Sequence, residues 1–136
     1  MECINLVAQH SLGAKEAIEI NVTPGDNLLL AVRSSILNAD YQDHSYFHAV
    51  MAIRSDLEAL SYRLLCIGSM PNAIVSGMAQ SMSQGRKAYL ATLGEHTSHR
   101  DLFDIFYDAD YDQTDTVQAQ LEFKARWFDS IGVRAS

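Results

Sequence analysis

The stretch Tyr62 to Gly94, YRLLCIGSMPNAIVSGMAQSMSQGRKAYLATLG, most constrains what this chain can fold into, because it contains no acid. No Asp or Glu lies between Glu58 and Glu95, although the chain holds 17 of them against 10 Lys and Arg. Residues 1–58 carry a formal charge of −5, residues 59–94 carry +3 and residues 95–136 carry −5, for −7 overall. An apolar, glycine-punctuated centre between two acidic flanks predicts a compact core with an acidic outer surface. Such a surface suits a basic partner. It disfavours nucleic acid and anionic membranes, both of which it repels.

At 136 residues the chain has the length of a single domain, taken as 1–136, with enough apolar content for one core. Its 48% hydrophobic and 20% charged residues argue against wholesale disorder. No apolar run approaches the roughly 20 residues of a bilayer-spanning helix. Glu2 stands where a secretory leader wants a basic residue, and two cysteines, Cys3 and Cys66, do not make a disulfide framework. The expectation is a cytoplasmic protein.

Periodicity along the chain gives the expected elements. Cys3 to Leu12 reads as a short helix, and Ala17–Val22 alternates as a half-buried strand. Thr23-Pro24-Gly25-Asp26 has the order of a helix start, with a helix to about Leu37 that turns Leu28, Leu29, Val32 and Ile36 inward. From Asp43 as cap, Phe47, Val50, Ile53, Leu57 and Leu60 recur at helical spacing, which places Arg54 on another face. Tyr62–Ile67 reads as a buried strand, Gly68–Asn72 as a turn, and Ile74, Met78 and Met82 as one face of a short helix ended near Gly85. Strands are expected at Lys87–Leu93 and Leu102–Tyr107, and a last helix from Asp115 with Val117, Leu121, Ala125 and Phe128 inward. The fold class is therefore α/β or α+β, a small sheet of three to four strands packed by about four helices.

Four constellations bear on chemistry. The Gly68–Gly77 turn, with Ser69, Asn72, Ser76 and Gly77 as donors and Arg86 or Lys87 nearby, has the outline of an anion site. It carries neither the phosphate-loop nor the dinucleotide glycine pattern. Cys66 lies among Leu64, Leu65 and Ile67, where burial opposes the thiolate a nucleophile needs. His44 and His48 are four apart with Asp40 as a third candidate ligand, but Ser45 replaces the glutamate of the zinc-protease string. Asp108-x-Asp110-x-Asp112 imitates the start of a calcium loop, and Gln113 and Ala119 stand where glycine and glutamate are required. No cofactor or metal is assigned.

The densest charge feature is the run Asp101, Asp104, Asp108, Asp110, Asp112 and Asp115, accompanied by Phe103, Phe106, Tyr107 and Tyr111. Carboxylates speed encounter with a basic protein and aromatic rings supply affinity. Asp104, Asp108, Asp110, Asp112 and Tyr111 are thus the expected contact surface, with Asp40 and Asp43, beside Tyr41 and Tyr46, as a second patch.

The size, the acidity and the central pattern LLCIGS…N…SGM…M…G.KAY together resemble small bacterial immunity proteins. The resemblance implies a non-enzymatic cytoplasmic antidote whose partner is a toxin domain, often basic and nuclease-like, bound so as to cover or distort its active site. It carries no catalytic residues with it. The alternative is a small anionic-ligand-binding domain or enzyme built on the Gly68–Gly77 turn.

Overall fold

The first third of the chain is sheet. In the computed structural model, which describes residues 2–132, β1 (Glu2–His10), β2 (Lys15–Thr23), β3 (Leu28–Arg33) and β4 (Ala39–Asp43) form an antiparallel meander. Helix α1 (Tyr46–Glu58) then crosses from the β4 edge to the opposite edge, where β5 (Tyr62–Leu64) pairs with β1. The resulting strand order is β4-β3-β2-β1-β5.

Alternation fixes which face is inside. Ile4, Leu6 and Ala8 of β1, Ile18, Ile20 and Val22 of β2, and Leu28, Leu30 and Val32 of β3 are all buried on one face. The register lines them up, with Ile4 opposite Ile20 and Ile20 opposite Val32. A one-residue slip would turn every one of these side chains to solvent, so the pattern specifies the pairing. Val50, Ile53 and Leu57 of α1 join the same cluster. Each such side chain contributes about 1.5–3 kcal/mol on full burial.

A second, three-stranded sheet follows in the order β6-β7-β8, from β6 (Ala73–Ile74), β7 (Lys87–Leu90) and β8 (Leu102–Asp104). Helix α2 (Gly77–Ser83) lies between β6 and β7, and α3 (Val117–Ser130) closes the described chain. Ala73, Ala88, Ile105 and Phe106 belong to the same buried cluster as the large sheet, so the two sheets share one core. At the C-terminus of α2, Gln84 is left-handed and Gly85 has φ +77°. A Cβ at Gly85 would collide with Ser45 Oγ and approach Gln80 Oε1 to 2.7 Å. Only glycine fits both the dihedral and the space.

This architecture overturns the expected fold class. Among the described residues, eight strands in two sheets and three α-helices replace one small sheet packed by about four helices. The errors lie in β1 and β3. The segment expected as a helix, Cys3–Leu12, is strand as far as His10, because its apolar residues alternate, and then turns at Ser11–Leu12. In place of a helix start, Thr23 ends β2 and Pro24–Asn27 connects it to β3, with Gly25 at φ +146°. Leu28 and Val32, four apart, satisfy a helical period and a strand period equally, and Leu30, buried between them, decides for the strand. Elsewhere α1 starts from Ser45, whose side chain accepts from His48 N, and Asp43 instead accepts from Ser45 N. Ile74 is strand. Helix α3 is capped by Thr116, and its inner residues include Gln120 and Trp127, whereas Leu121 and Ala125 face solvent.

One side chain joins these pieces. Arg54, 2% exposed, donates from Nη1 to Gly68 O (2.9 Å) and Gln120 Oε1 (2.8 Å), and from Nη2 to Asp115 O (3.1 Å). Gln120 Nε2 in turn donates to Gly68 O and Met70 O. The network ties α1, the 3-10 turn Ile67–Ser69 and the start of α3 together. No carboxylate of the described residues forms an ion pair with Arg54. Replacing a buried charge by an apolar residue relieves desolvation, but here Gln120 Oε1 and Asp115 O would lose their donor, while Gly68 O would keep only Gln120 Nε2. The second effect is the larger. Arg54→Met is expected to lower stability by about 2–4 kcal/mol, read as a lower urea midpoint at unchanged slope.

Candidate functional site

The acidic segment after β8 is held by its backbone. Ile67 N donates to Tyr107 O (2.8 Å), Gly68 N to Ile105 O (2.9 Å) and Ala109 N to Leu65 O (3.4 Å). Cys66 and Asp108 make an isolated antiparallel bridge. Farther along, Arg63 Nη1 donates to Thr114 O (3.1 Å), and its guanidinium lies 4.4 Å over the Tyr111 ring. Asp115 N donates to Ser69 O (3.0 Å). Residues 105–115 are therefore a fixed ridge beside the β5 edge, not a loose loop.

On that ridge the expected contact residues divide into two groups. Asp108, Asp110 and Asp112 are exposed. The three ion pairs among the described residues use Asp40, Glu2 and Asp104, which leaves Asp108 and Asp112 unpaired. Asp110 closes a capping box with Gln113. Tyr111 is half-buried under Arg63, and the exposed ring is Tyr107, at 60%. Asp104 faces inward: Oδ2 accepts from Arg86 Nε (3.2 Å) and Oδ1 from Phe106 N (2.8 Å). It supports the ridge from behind.

Asp40 and Asp43 lie on β4, at the opposite edge of the sheet, four interstrand spacings of roughly 4.8 Å from β5. The two patches are thus separate surfaces. Asp40 pairs with Arg33 (3.0 Å), and Tyr41 donates its hydroxyl to Asp56 (2.6 Å). Desolvation, then the Asp56 carboxylate, hold the Tyr41 phenol well above its ordinary range. Tyr46 and Phe106 are buried edge to face.

The Gly68–Asn72 turn does not offer the donors an anion needs. The backbone N–H groups of Gly68, Ser69 and Met70 go to Ile105 O, Cys66 O and Ile67 O, Pro71 has none, and Asn72 Nδ2 goes to Ala91 O. Arg86 points elsewhere, into a fork on Glu2 (2.6 and 2.7 Å) with its plane over Tyr46 and Phe106. Cys66 is fully buried; burial raises its thiol pKa, against smaller opposing effects of Ser69 and Arg54. The His44 ring hydrogen-bonds Asp26 O, His48 is exposed, and the described residues contain no group of three His, Cys, Asp or Glu placed to hold a metal. Among them no helix is long and apolar enough to cross a membrane.

Two residues that organise this region, Arg54 and Arg63, had no such role in the sequence reading, whereas Tyr107 stood there among the aromatic companions of the aspartates. Arg54 sits one residue after Ile53 and three before Leu57, inside the apolar stripe of α1, and that position was the available signal.

The fork of Arg86 on Glu2 gives the region a pH dependence. The hydrogen bond from Arg86 holds the Glu2 carboxyl below its ordinary value of 4.5. A carboxyl depressed in the folded state stabilises above its unfolded pKa and loses that contribution as pH falls through the folded one. The wild type should therefore lose stability on acidification below about pH 4.5. Glu2→Gln should weaken that acid dependence in melts taken from pH 7 to pH 3. An unaltered acid limb would show that the pair contributes nothing. No protein-family model matches the sequence, and no curated protein matches it.

Proposed function

We propose that this protein is a non-enzymatic cytoplasmic binding protein of immunity type, which neutralises a basic toxin domain through the 105–115 ridge. The observation that carries the reading is the combination on that ridge of two unpaired carboxylates, Asp108 and Asp112, with the exposed ring of Tyr107 on a backbone hydrogen-bonded from behind. A pre-ordered surface avoids the ordering cost that a flexible acidic loop would bear on binding. The carboxylates and the net charge of −7 accelerate encounter with a cationic partner, and Tyr107 supplies a ring for a pocket on it. Asp40 and Asp43 form a weaker second face, since both are engaged within the chain.

The test is co-expression with candidate basic toxin domains, nuclease-like ones first, followed by association kinetics at low and high salt with any domain whose toxicity is relieved. Growth should be rescued by the wild type. Asp108→Asn, Asp110→Asn and Asp112→Asn together should slow association about tenfold at low salt and flatten its salt dependence. Tyr107→Ala should act mainly on dissociation, by about tenfold. Absence of rescue would reject the function. Rescue with unchanged kinetics in the triple variant would move the contact surface elsewhere.

A further inference from the structure

We propose that the groove between α1, α3 and residues 73–77 binds a small amphipathic carboxylate. This site is separate from the acidic ridge and does not depend on the reading of it.

The groove encloses about 330 Å³, at the lower end of the roughly 300–1,000 Å³ of small-molecule sites. Its walls are apolar, with Phe47 and Met51 from α1, Ile74 from β6 and Leu121 from α3. Leu121, 48% exposed, has no other evident role for its apolar side chain. Gln120 forms a fixed floor, because its amide is held by Gly68 O, Met70 O and Arg54.

Polar residues of three segments line the groove. His48 comes from α1, Lys124 from α3 and the Ser76 hydroxyl from the link before α2. The Ser76 oxygen accepts from Ala79 N, which leaves its proton free to donate. Lys124 Nζ lies 5.9 Å from the Phe128 ring and forms no ion pair with any described residue. None of the 17 acids of the chain lines the groove. A groove whose apolar walls are joined by one lysine, one histidine, one serine hydroxyl and two neutral amides (Gln80 and Gln120), with no carboxylate, disfavours cations and suits a single negative charge on an apolar body. A dianionic phosphate would be left half-neutralised, with no arginine fork to hold it.

The probe is octanoate, titrated into the full chain by amide NMR beside octylamine and octanol. Octanoate is expected to give saturable shifts confined to the first half of α1, residues 73–77 and the middle of α3, and to bind at least fivefold more tightly than octylamine. Lys124→Glu should weaken octanoate about fivefold, and Leu121→Trp should block it while the backbone spectrum stays folded. The triple Asn variant of the ridge should bind octanoate normally. Equal binding of octanoate and octylamine, shifts outside the groove, or full affinity in Lys124→Glu would each overturn the proposal, as would the absence of saturable binding.

Discussion

A single guanidinium sets where the second half of this molecule lies. Arg54 is buried without a carboxylate partner, satisfied by two backbone carbonyls and a glutamine oxygen. Burial lowers its pKa, and the fields of Cys66, Glu58 and Asp115 oppose that shift. A lysine in this place would present a point charge, whereas the planar fork of arginine reaches three acceptors on two elements. The carbonyls it holds belong to the 3-10 turn and to Asp115, the residue before the Thr116 cap of α3. Glu58, one turn farther along α1, accepts from Val117 N in the first turn of α3, where a negative charge suits the helix dipole. Together these contacts position α3, and with it the anchored ridge on one side and the groove on the other.

The acid-free centre of the sequence has a different structural meaning from the one its composition implies. It supplies β5, the buried turn around Gly68 and two of the three strands of the small sheet, β6 and β7, all of which contribute to the core. It also supplies α2, where Met78 and Met82 are exposed and only Ala79 is buried. The absence of Asp and Glu therefore marks one side of the molecule as well as its interior. The walls of the groove come partly from this same stretch, which is how a chain of net charge −7 encloses a cavity free of carboxylates.

What the sequence reveals depends on whether one period is unambiguous. Helix α1 and strand β2 are legible because their apolar spacings admit one reading each. Strand β3 is not, since Leu28-Leu29-Leu30 with Val32 fits both periods and the preceding Thr-Pro-Gly-Asp is good chemistry for a helix start and for a turn. Helix α3 is visible as a helix, but its inner face is read one residue late. The residue that faces inward is polar: Gln120 is buried because it completes a hydrogen-bond network, and hydrophobicity alone points to Leu121. Arg54 is hidden for the same reason. Polar residues buried for their hydrogen bonds look like surface residues until the acceptors are known, and those acceptors lie 14 to 66 residues away.

The aspartate run shows the same limit within the candidate site. Asp101 accepts from Ser98 N, Asp104 from Phe106 N, Asp115 from Thr116 N, and Asp110 caps the short helical turn at Tyr111–Gln113. Short carboxylates that satisfy nearby N–H groups are what an irregular segment between a strand and a helix requires. Much of the density of aspartate in residues 101–115 is thus explained by backbone satisfaction alone, before any partner is invoked. Asp108 and Asp112 are the remainder, and two exposed carboxylates screened over about 8 Å at physiological salt steer only at short range. On the proposed reading, long-range attraction of a basic partner then comes from the charge of the whole molecule, and affinity from the exposed ring of Tyr107, whose backbone is held at N and O. An interface of this kind would be fast to form through its charge and slow to release through one aromatic contact.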